Sequence, residues 1–445
     1  MRDLNLLENG RLLAALVAGD RFLKKAPTWS RDELMAWQWE RVRRLVAHAW
    51  AEVPFYRRHY AAAGFVPGDL KSWADFHRLP VVTKAEVIAN YPQAMLRTGD
   101  TPEQLIVSRS SGSSGQVLDI CYDSRAMVTY LLAGLRLYRM GFAYGPLHTQ
   151  LYVYTSPYPL NSLFGLYPMR FVPTLAPIAE IAAEAERVRP HLLVCYPSHL
   201  KQVAPALSAK AKSRLRCVSV NSEMSTQAER DALARELGCP VLDEYSSEEL
   251  TRIAAQCRCG RYHVFEDINY METLTPGVGA GGWSATAAGE AGVIVGTNLH
   301  NFAMPMIRYV QNDVGRIAST ESACECGLRF RELTELQGRK NDSFILPSGR
   351  ELSSGFLLDA TYEILLTWRT AVRDFCLVQE SPGRVVLEVV RGAGWNAEVE
   401  NAIGRRFSGF FDPGVEFRTV EVAECRKTKT GKRNPIIRAW REAAG

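Results

Sequence analysis

Apolar residues fall at helical spacing through most of residues 1–65, and the polar residues between them mark where one helix stops and the next begins. Pro27 and Thr28 break the first helix. Ser30-Arg-Asp-Glu33 has the form of a capping box that opens a second, which carries Met35, Trp37 and Trp39 and then the basic Arg41, Arg43 and Arg44. Pro54-Phe55-Tyr56 marks the next break. Further on, Thr83 is placed to cap a helix starting at Lys84, and residues 124–140 form an amphipathic helix that ends near Gly141.

From there to about residue 300 the pattern alternates. Apolar runs at Leu151–Tyr154, Leu192–Cys195, Cys217–Val220 and Val241–Leu242 read as strands, with helices at Ala179–Val188 and Thr226–Leu237 between them. That alternation predicts an α/β architecture with largely parallel sheets. Gly292–Val295 and Met306–Val310 read as a further strand pair, and Gly338-Arg-Lys-Asn-Asp342 as a polar turn. Beyond it the pattern changes to a small α+β unit, with helix 353–367, strands near 375–379 and 384–390, helix 396–407 and strand 415–422. A boundary near Asn341 is expected. It separates a large, multi-subdomain N-terminal α/β domain, residues 1–340, from a small α+β C-terminal domain, residues 341–445.

Composition narrows the function classes. The chain has 445 residues, 47% of them apolar and 23% charged, with a formal net charge of +5. That balance supports a sizeable core. No lysine-arginine run carries interleaved aromatics, so neither the charge nor its distribution points to nucleic acid. The apolar run Leu12–Val17 is short and closely flanked by charge, unlike a secretory signal, and no uninterrupted apolar stretch reaches membrane-spanning length. A soluble, cytoplasmic protein is expected, without a membrane or nucleic-acid partner. In that compartment the ten cysteines call for a role other than a disulfide framework. Cys121, Cys195, Cys217, Cys239 and Cys376 stand singly in apolar surroundings, as core residues do.

The candidate chemistry starts at the loop Ser110-Ser111-Gly112-Ser113-Ser114-Gly115, set between apolar Leu105–Val107 and an extended run from Val117. Glycine lets backbone N–H groups turn toward a ligand and serine adds hydroxyl donors, a combination suited to phosphate and equally to a flexible linker. The loop lacks the Lys-Ser or Lys-Thr of a Walker sequence, which argues against a P-loop NTPase. Four more polar clusters follow: Glu244-Tyr-Ser-Ser-Glu-Glu249, Pro305-Met-Ile-Arg-Tyr-Val-Gln-Asn-Asp313-Val-Gly315, Gly338-Arg339-Lys-Asn-Asp342 and Arg426-Lys-Thr-Lys-Thr-Gly-Lys432. Each alone reads as a helix start, a turn or a basic tail.

In this order the five stretches resemble the adenylate-forming superfamily of acyl-CoA synthetases, adenylation domains and luciferases, over about residues 80–435. Glu244-Tyr-Ser-Ser-Glu-Glu, Thr297-Asn-Leu-His-Asn-Phe-Ala-Met-Pro-Met-Ile-Arg-Tyr and two Cys-x-Cys elements resemble one branch of it, the phenylacetate–CoA ligase, CapK-like and coenzyme F390 synthetase-like proteins. The resemblance implies that Ser110–Gly115 holds the β- and γ-phosphates of ATP and that Tyr245 stacks on adenine. It makes Glu249 the Mg²⁺ carboxylate, with Glu248 one residue away as the alternative. Asp313 matches the residue that accepts the ribose hydroxyls, and Arg339 matches a second nucleotide contact before a hinge. Lys432 matches the lysine that bridges the acid and the α-phosphate, on a C-terminal domain that rotates between half-reactions. Three positions depart from the pattern. Gln116 follows the loop where a lysine is usual, Ser246 replaces a glycine and Asn341 stands at the hinge.

Cys257-Arg-Cys259-Gly-Arg-Tyr-His263 and Cys324-Glu-Cys326-Gly form two thiol-rich elements, and two such elements commonly build a tetrahedral zinc site. Five side chains compete for four places. The resemblance implies Cys257, His263, Cys324 and Cys326 as a structural zinc knuckle spanning 257–326, with Cys259 spare; an all-cysteine set is the alternative.

The function so implied is an ATP- and Mg²⁺-dependent acid ligase. It makes an acyl adenylate and passes the acyl group to coenzyme A, with an aromatic, phenylacetate- or benzoate-like acid favoured. An amine acceptor gives an amide ligase of secondary metabolism or polysaccharide biosynthesis. A non-catalytic nucleotide-binding scaffold is the reading from another class. A homodimer is compatible with the branch.

Overall fold

The computed structural model describes residues 6–109, 118–155, 165–277, 282–287, 289–368, 370–428 and 431–440. It divides into two compact units. The first takes residues Met1–Ser222, Leu233–Gln311 and Gly315–Glu335; the second takes Glu223–Ala232, Asn312–Val314 and Leu336–Gly445.

The first unit begins with the helices Leu6–Lys25, Arg31–Glu52 and Pro54–Ala62. At Ser30 the hydroxyl accepts from the Glu33 backbone while the Glu33 carboxylate accepts from Ser30, which satisfies two orphan donors at the helix start. Thr83 and Glu86 repeat the device for the helix Lys84–Asn90. A hairpin follows, β1 (Ile106–Arg109) antiparallel to β2 (Asp119–Tyr122), and then the helix Ser124–Gly141.

β3 (Gln150–Tyr154), β4 (Met169–Pro173), β5 (Leu192–Cys195), β6 (Cys217–Asn221) and β7 (Val241–Ser247) are parallel neighbours in the order β4-β3-β5-β6-β7. β3, β5 and β6 are buried along nearly their whole length because both faces are covered, whereas the edge strand β4 is partly exposed. Leu151, Leu193 and Val218 pack with Ile181 and Leu200 from the intervening helices.

The expectation of largely parallel sheets needs correction. β8 (Thr251–Gln256), β9 (Tyr262–Val264), β10 (Asn269–Pro276), β11 (Trp283–Ala285), β12 (Gly292–Asn298), β13 (Tyr309–Ile317) and β14 (Glu332–Arg339) extend the same sheet to twelve strands, ordered β11-β10-β12-β13-β14-β9-β8-β7 across this half. The pairs β7–β8, β8–β9, β9–β14, β10–β12 and β10–β11 are antiparallel. These strands hide from a hydropathy pattern because they bury charge in pairs. Arg252 pairs with Glu244, Arg308 with Glu272 at 3.0 Å, and Glu266 takes both Arg31 and Arg331. Each guanidinium satisfies a carboxylate that a dry interior would otherwise reject.

In the second unit, the strands 416–421, 384–391, 372–381 and 436–438 form a sheet in that order, with the central pair antiparallel and both outer pairs parallel. Helices Ser354–Leu366 and Ala397–Ser408 cover it, and Leu377, Leu387, Ile403 and Phe407 fill the space between. Among the described residues no helix is long and apolar enough to cross a membrane.

Candidate functional site

The Ser110–Gly115 loop lies outside the described residues, but its frame does not. β1 and β2, which flank it in sequence, pair antiparallel from Ile106↔Tyr122 to Arg109↔Asp119. The Arg109 guanidinium forks onto Asp119 at 2.6 and 2.9 Å, so its charge is already matched beside the loop.

The hairpin is tied to the end of β7. The Ser108 hydroxyl donates to the Glu248 carboxylate at 2.5 Å, and the Tyr122 hydroxyl donates to the Glu248 carbonyl. Glu249 turns the other way: it is 7% exposed and accepts from the Tyr309 hydroxyl at 2.9 Å. The two carboxylates therefore diverge, Glu248 toward the hairpin and Glu249 toward β13. Tyr245, on β7, is half-buried. Burial drives the Tyr122 hydroxyl well above its ordinary pKa, and the negative charge of Glu248 and Glu249 adds to the shift.

β7 ends a row of parallel strands, and ligands of open α/β sheets sit beyond the carboxyl ends of such strands. Tyr196, Asn221 and Ser222, which stand there, escape sequence reasoning. Tyr154 ends β3, Tyr196 follows β5 and Asn221 ends β6. The Tyr154 and Tyr196 rings meet edge-on at 6.1 Å, and Tyr196 stacks on His199 at 5.3 Å. The Tyr154 and Ser222 hydroxyls are 3.4 Å apart. Ser219 Oγ and Asn221 Oδ1 are buried without a hydrogen-bond partner among the described residues. The carboxyl-end rule is the signal that finds this group, an aromatic wall with polar atoms to spare.

Asp313, Arg339 and Lys432 belong to the second unit. Arg339 Nε lies 3.9 Å from Asp313 Oδ1, with the Asp313 side chain 15% and the Arg339 side chain 47% exposed. Lys432 sits on a tight hairpin: the Thr428 N–H donates to the Lys432 carbonyl at 2.8 Å, and the Lys432 N–H to the Thr428 hydroxyl at 3.1 Å. Gly431 takes φ +81, which glycine tolerates at this turn. Next to Lys432, the buried Arg433 guanidinium donates to the Phe375 carbonyl at 2.5 Å and pairs with Asp374 at 2.6 Å, fixing the hairpin base. Asn341 is exposed on the short turn Lys340–Asp342, while burial pushes the Asp342 carboxyl up.

The cysteine cluster is compact. One ligand atom from each of Cys257, His263, Cys324 and Cys326 lies within 4.8 Å of all the others. Cys257 and Cys324 sulfurs are 3.7 Å apart, and Cys326 sulfur is 3.2 Å from His263 Nε2. Two thiolates each about 2.3 Å from one tetrahedral zinc would sit roughly 3.8 Å apart, so the edge lengths suit that ion. Burial lowers the His263 pKa and keeps the imidazole neutral. Its Nδ1 faces the Phe330 carbonyl at 3.4 Å, which leaves Nε2 as the lone-pair nitrogen. Cys259 is exposed and outside the four, with its thiol pushed up to about 11 by hydrogen bonding to Cys324.

Comparison with known proteins adds the context for this geometry. The chain has the fold of adenylate-forming ligases. It matches 2-hydroxyisobutyryl-CoA ligase in its postadenylation state over 92% of this chain and 90% of that one, at TM-score 0.74 and 20% identity. An anthranilate CoA ligase bound to anthranoyl-AMP matches over 76% and 67%, at TM-score 0.54 and 14% identity. More particularly, the chain is similar in sequence to phenylacetate–CoA ligases. It is 27% identical to that of Thermus thermophilus over 332 residues, 72% of this chain and 73% of the relative. It is also 27% identical to that of Escherichia coli K12 over 337 residues, 72% and 74% respectively. No protein-family model matches.

Proposed function

We propose that this protein joins a carboxylic acid to coenzyme A at the expense of ATP, through an acyl adenylate. The observation that carries this reading is the likeness to phenylacetate–CoA ligases across 72% of the chain. In the first step a carboxylate oxygen attacks the α-phosphorus, the bond to the β-phosphate oxygen breaks, and pyrophosphate leaves. In the second, the thiol sulfur attacks the acyl carbon and AMP leaves with the former carboxylate oxygen.

The residue roles are those the family resemblance implies, and each suits the group it would meet. Ser110–Gly115 supplies hydrogen-bond donors to the β- and γ-phosphates, and Tyr245 offers a face for adenine. Asp313 accepts the ribose hydroxyls in a charge-assisted pairing, with Arg339 beside it as a further nucleotide contact. Two anions meet in the first step, so the Lys432 ammonium bridges the acid and the α-phosphate. A magnesium ion on Glu249 would neutralise the leaving pyrophosphate. Departure of Lys432 between steps requires movement, and we place its hinge in the exposed turn around Asn341. An aromatic acid is the proposed substrate. The relatives are named for phenylacetate, and the Tyr154–Tyr196–His199 wall at the strand ends suits a flat ring. Cys257, His263, Cys324 and Cys326 would hold a structural zinc, closed because four protein ligands leave no open position.

The test is ATP–pyrophosphate exchange across a panel of carboxylic acids, followed by thioester formation with coenzyme A. Exchange stimulated most by an aryl acid, with thioester appearing, is expected. No exchange with any acid would overturn the reading, and exchange without thioester would remove coenzyme A as acceptor. For zinc, metal analysis of protein never exposed to chelator should give about one equivalent; less than about half contradicts the site.

A further inference from the structure

A cavity of about 520 Å³ opens in the first unit between the helix Arg31–Glu52, the first turn of the helix Ser124–Gly141 and the segment around His300. Arg41, Arg44, Arg97 and Arg125 line it, with Asp123 as the one carboxylate. None of these residues is assigned to ATP, magnesium or zinc above.

The charge does not balance. Asp123 is already used: its side chain accepts from the Ala126 N–H at 2.9 Å to cap its helix and lies 4.0 Å from Arg97. Arg97 in turn pairs with Asp100 at 2.8 Å. Arg41, Arg44 and Arg125 form no ion pair among the described residues; Arg41 instead stacks over Trp37 at 5.1 Å. Desolvation, with Arg44 adding to it, lowers the Arg41 pKa. His300, on the same wall, is pushed down to about 4 by burial with Arg41 contributing, and stays neutral. Like charges gathered at one concavity repel, and an anion bound among them would relieve that repulsion.

We propose that this cavity binds a small molecule carrying two or more phosphate charges. Three uncompensated guanidiniums ask for more negative charge than a single carboxylate brings, and their planar forks match phosphate oxygens. The volume falls in the range of small-ligand sites, and the Phe302 ring gives it an apolar edge. Two molecules tied to the proposed reaction carry this chemistry: the nucleotide end of coenzyme A, and inorganic pyrophosphate. The coenzyme A arm rests on the proposed function, whereas the phosphate chemistry of the cavity does not.

The experiment is isothermal titration of the full-length protein with coenzyme A, pyrophosphate and ATP in turn, for wild type and for Arg44→Gln/Arg125→Gln. Both side chains are exposed on helices and glutamine is a good helix former, so an unchanged melting temperature is expected. At least a tenfold loss of affinity is expected for coenzyme A or for pyrophosphate, with ATP within about twofold of wild type. Loss for coenzyme A marks the cavity as the acceptor's nucleotide site, and loss confined to pyrophosphate marks it as an inorganic phosphate site. Wild-type affinity of the double variant for both, or an equal loss for ATP, overturns the proposal. If the double variant melts early, Arg125→Gln alone should show the same selectivity at smaller size, and its absence there counts equally against the cavity. These readings need no turnover, so a protein that fails pyrophosphate exchange still tests the cavity.

Discussion

The cysteine cluster and the residues assigned to ATP are two polar constellations built in opposite ways. Cys257, His263, Cys324 and Cys326 lie in one compact unit with their ligand atoms within 4.8 Å. The assigned nucleotide residues are divided: Tyr245 and Glu249 belong to the first unit, and Asp313, Arg339 and Lys432 to the second. A cluster closed within one unit can act as a staple, with its energy spent on folding. Residues that belong to separate units carry no such closure, and their roles rest on the proposed reaction.

Substitutions should separate the two. The largest effect is expected for Lys432→Ala, with exchange down by at least about a thousandfold and thioester formation from a preformed acyl adenylate within about tenfold of wild type. Equal loss of both steps would put Lys432 elsewhere in the mechanism. Glu249→Gln should lower exchange by about a hundredfold and raise the magnesium requirement, with Glu248→Gln milder. The reverse order would transfer the metal role to Glu248, whose carboxylate already holds Ser108.

Cys324→Ser should remove zinc and cost a few kcal/mol of stability, seen as a melting temperature lower by roughly 10 °C. Cys259→Ser should keep both. If Cys259→Ser releases the metal, the ligand set is the all-cysteine one.

The smallest effect concerns His300. Its folded pKa of about 4 is below the ordinary value of 6.5. A depressed value favours the neutral form in the folded state, so its contribution is complete above about pH 6.5 and is lost as pH falls toward 4. Urea unfolding across that range should show a change worth on the order of 3 kcal/mol, flattened in His300→Gln. An unchanged slope would show that the imidazole titrates normally.

Much of this was legible in the residues. The capping pairs Ser30–Glu33 and Thr83–Glu86, the parallel strands and the small C-terminal unit follow hydrophobic period and cap chemistry within a residue or a few. The antiparallel half did not, because β8 and β10 carry Arg252 and Glu272 inward and a charge reads as surface until its partner is known. The grouping of Tyr154, at the end of β3, with Tyr196 and His199, after β5, was hidden for a related reason: only sheet order makes them neighbours. The four cavity arginines lie far apart in sequence, at positions 41, 44, 97 and 125, and the concavity they share is a property of packing alone.

The central claim is tested most directly by following oxygen. The acid, labelled with ¹⁸O in its carboxylate, is turned over with ATP and coenzyme A, and the AMP is examined by mass spectrometry. One labelled oxygen in AMP and none in pyrophosphate is predicted, because the carboxylate oxygen that attacks the α-phosphorus stays on it when the thiol takes the acyl group. Thioester formed with unlabelled AMP would contradict an acyl adenylate, and with it the roles given to Lys432 and Glu249.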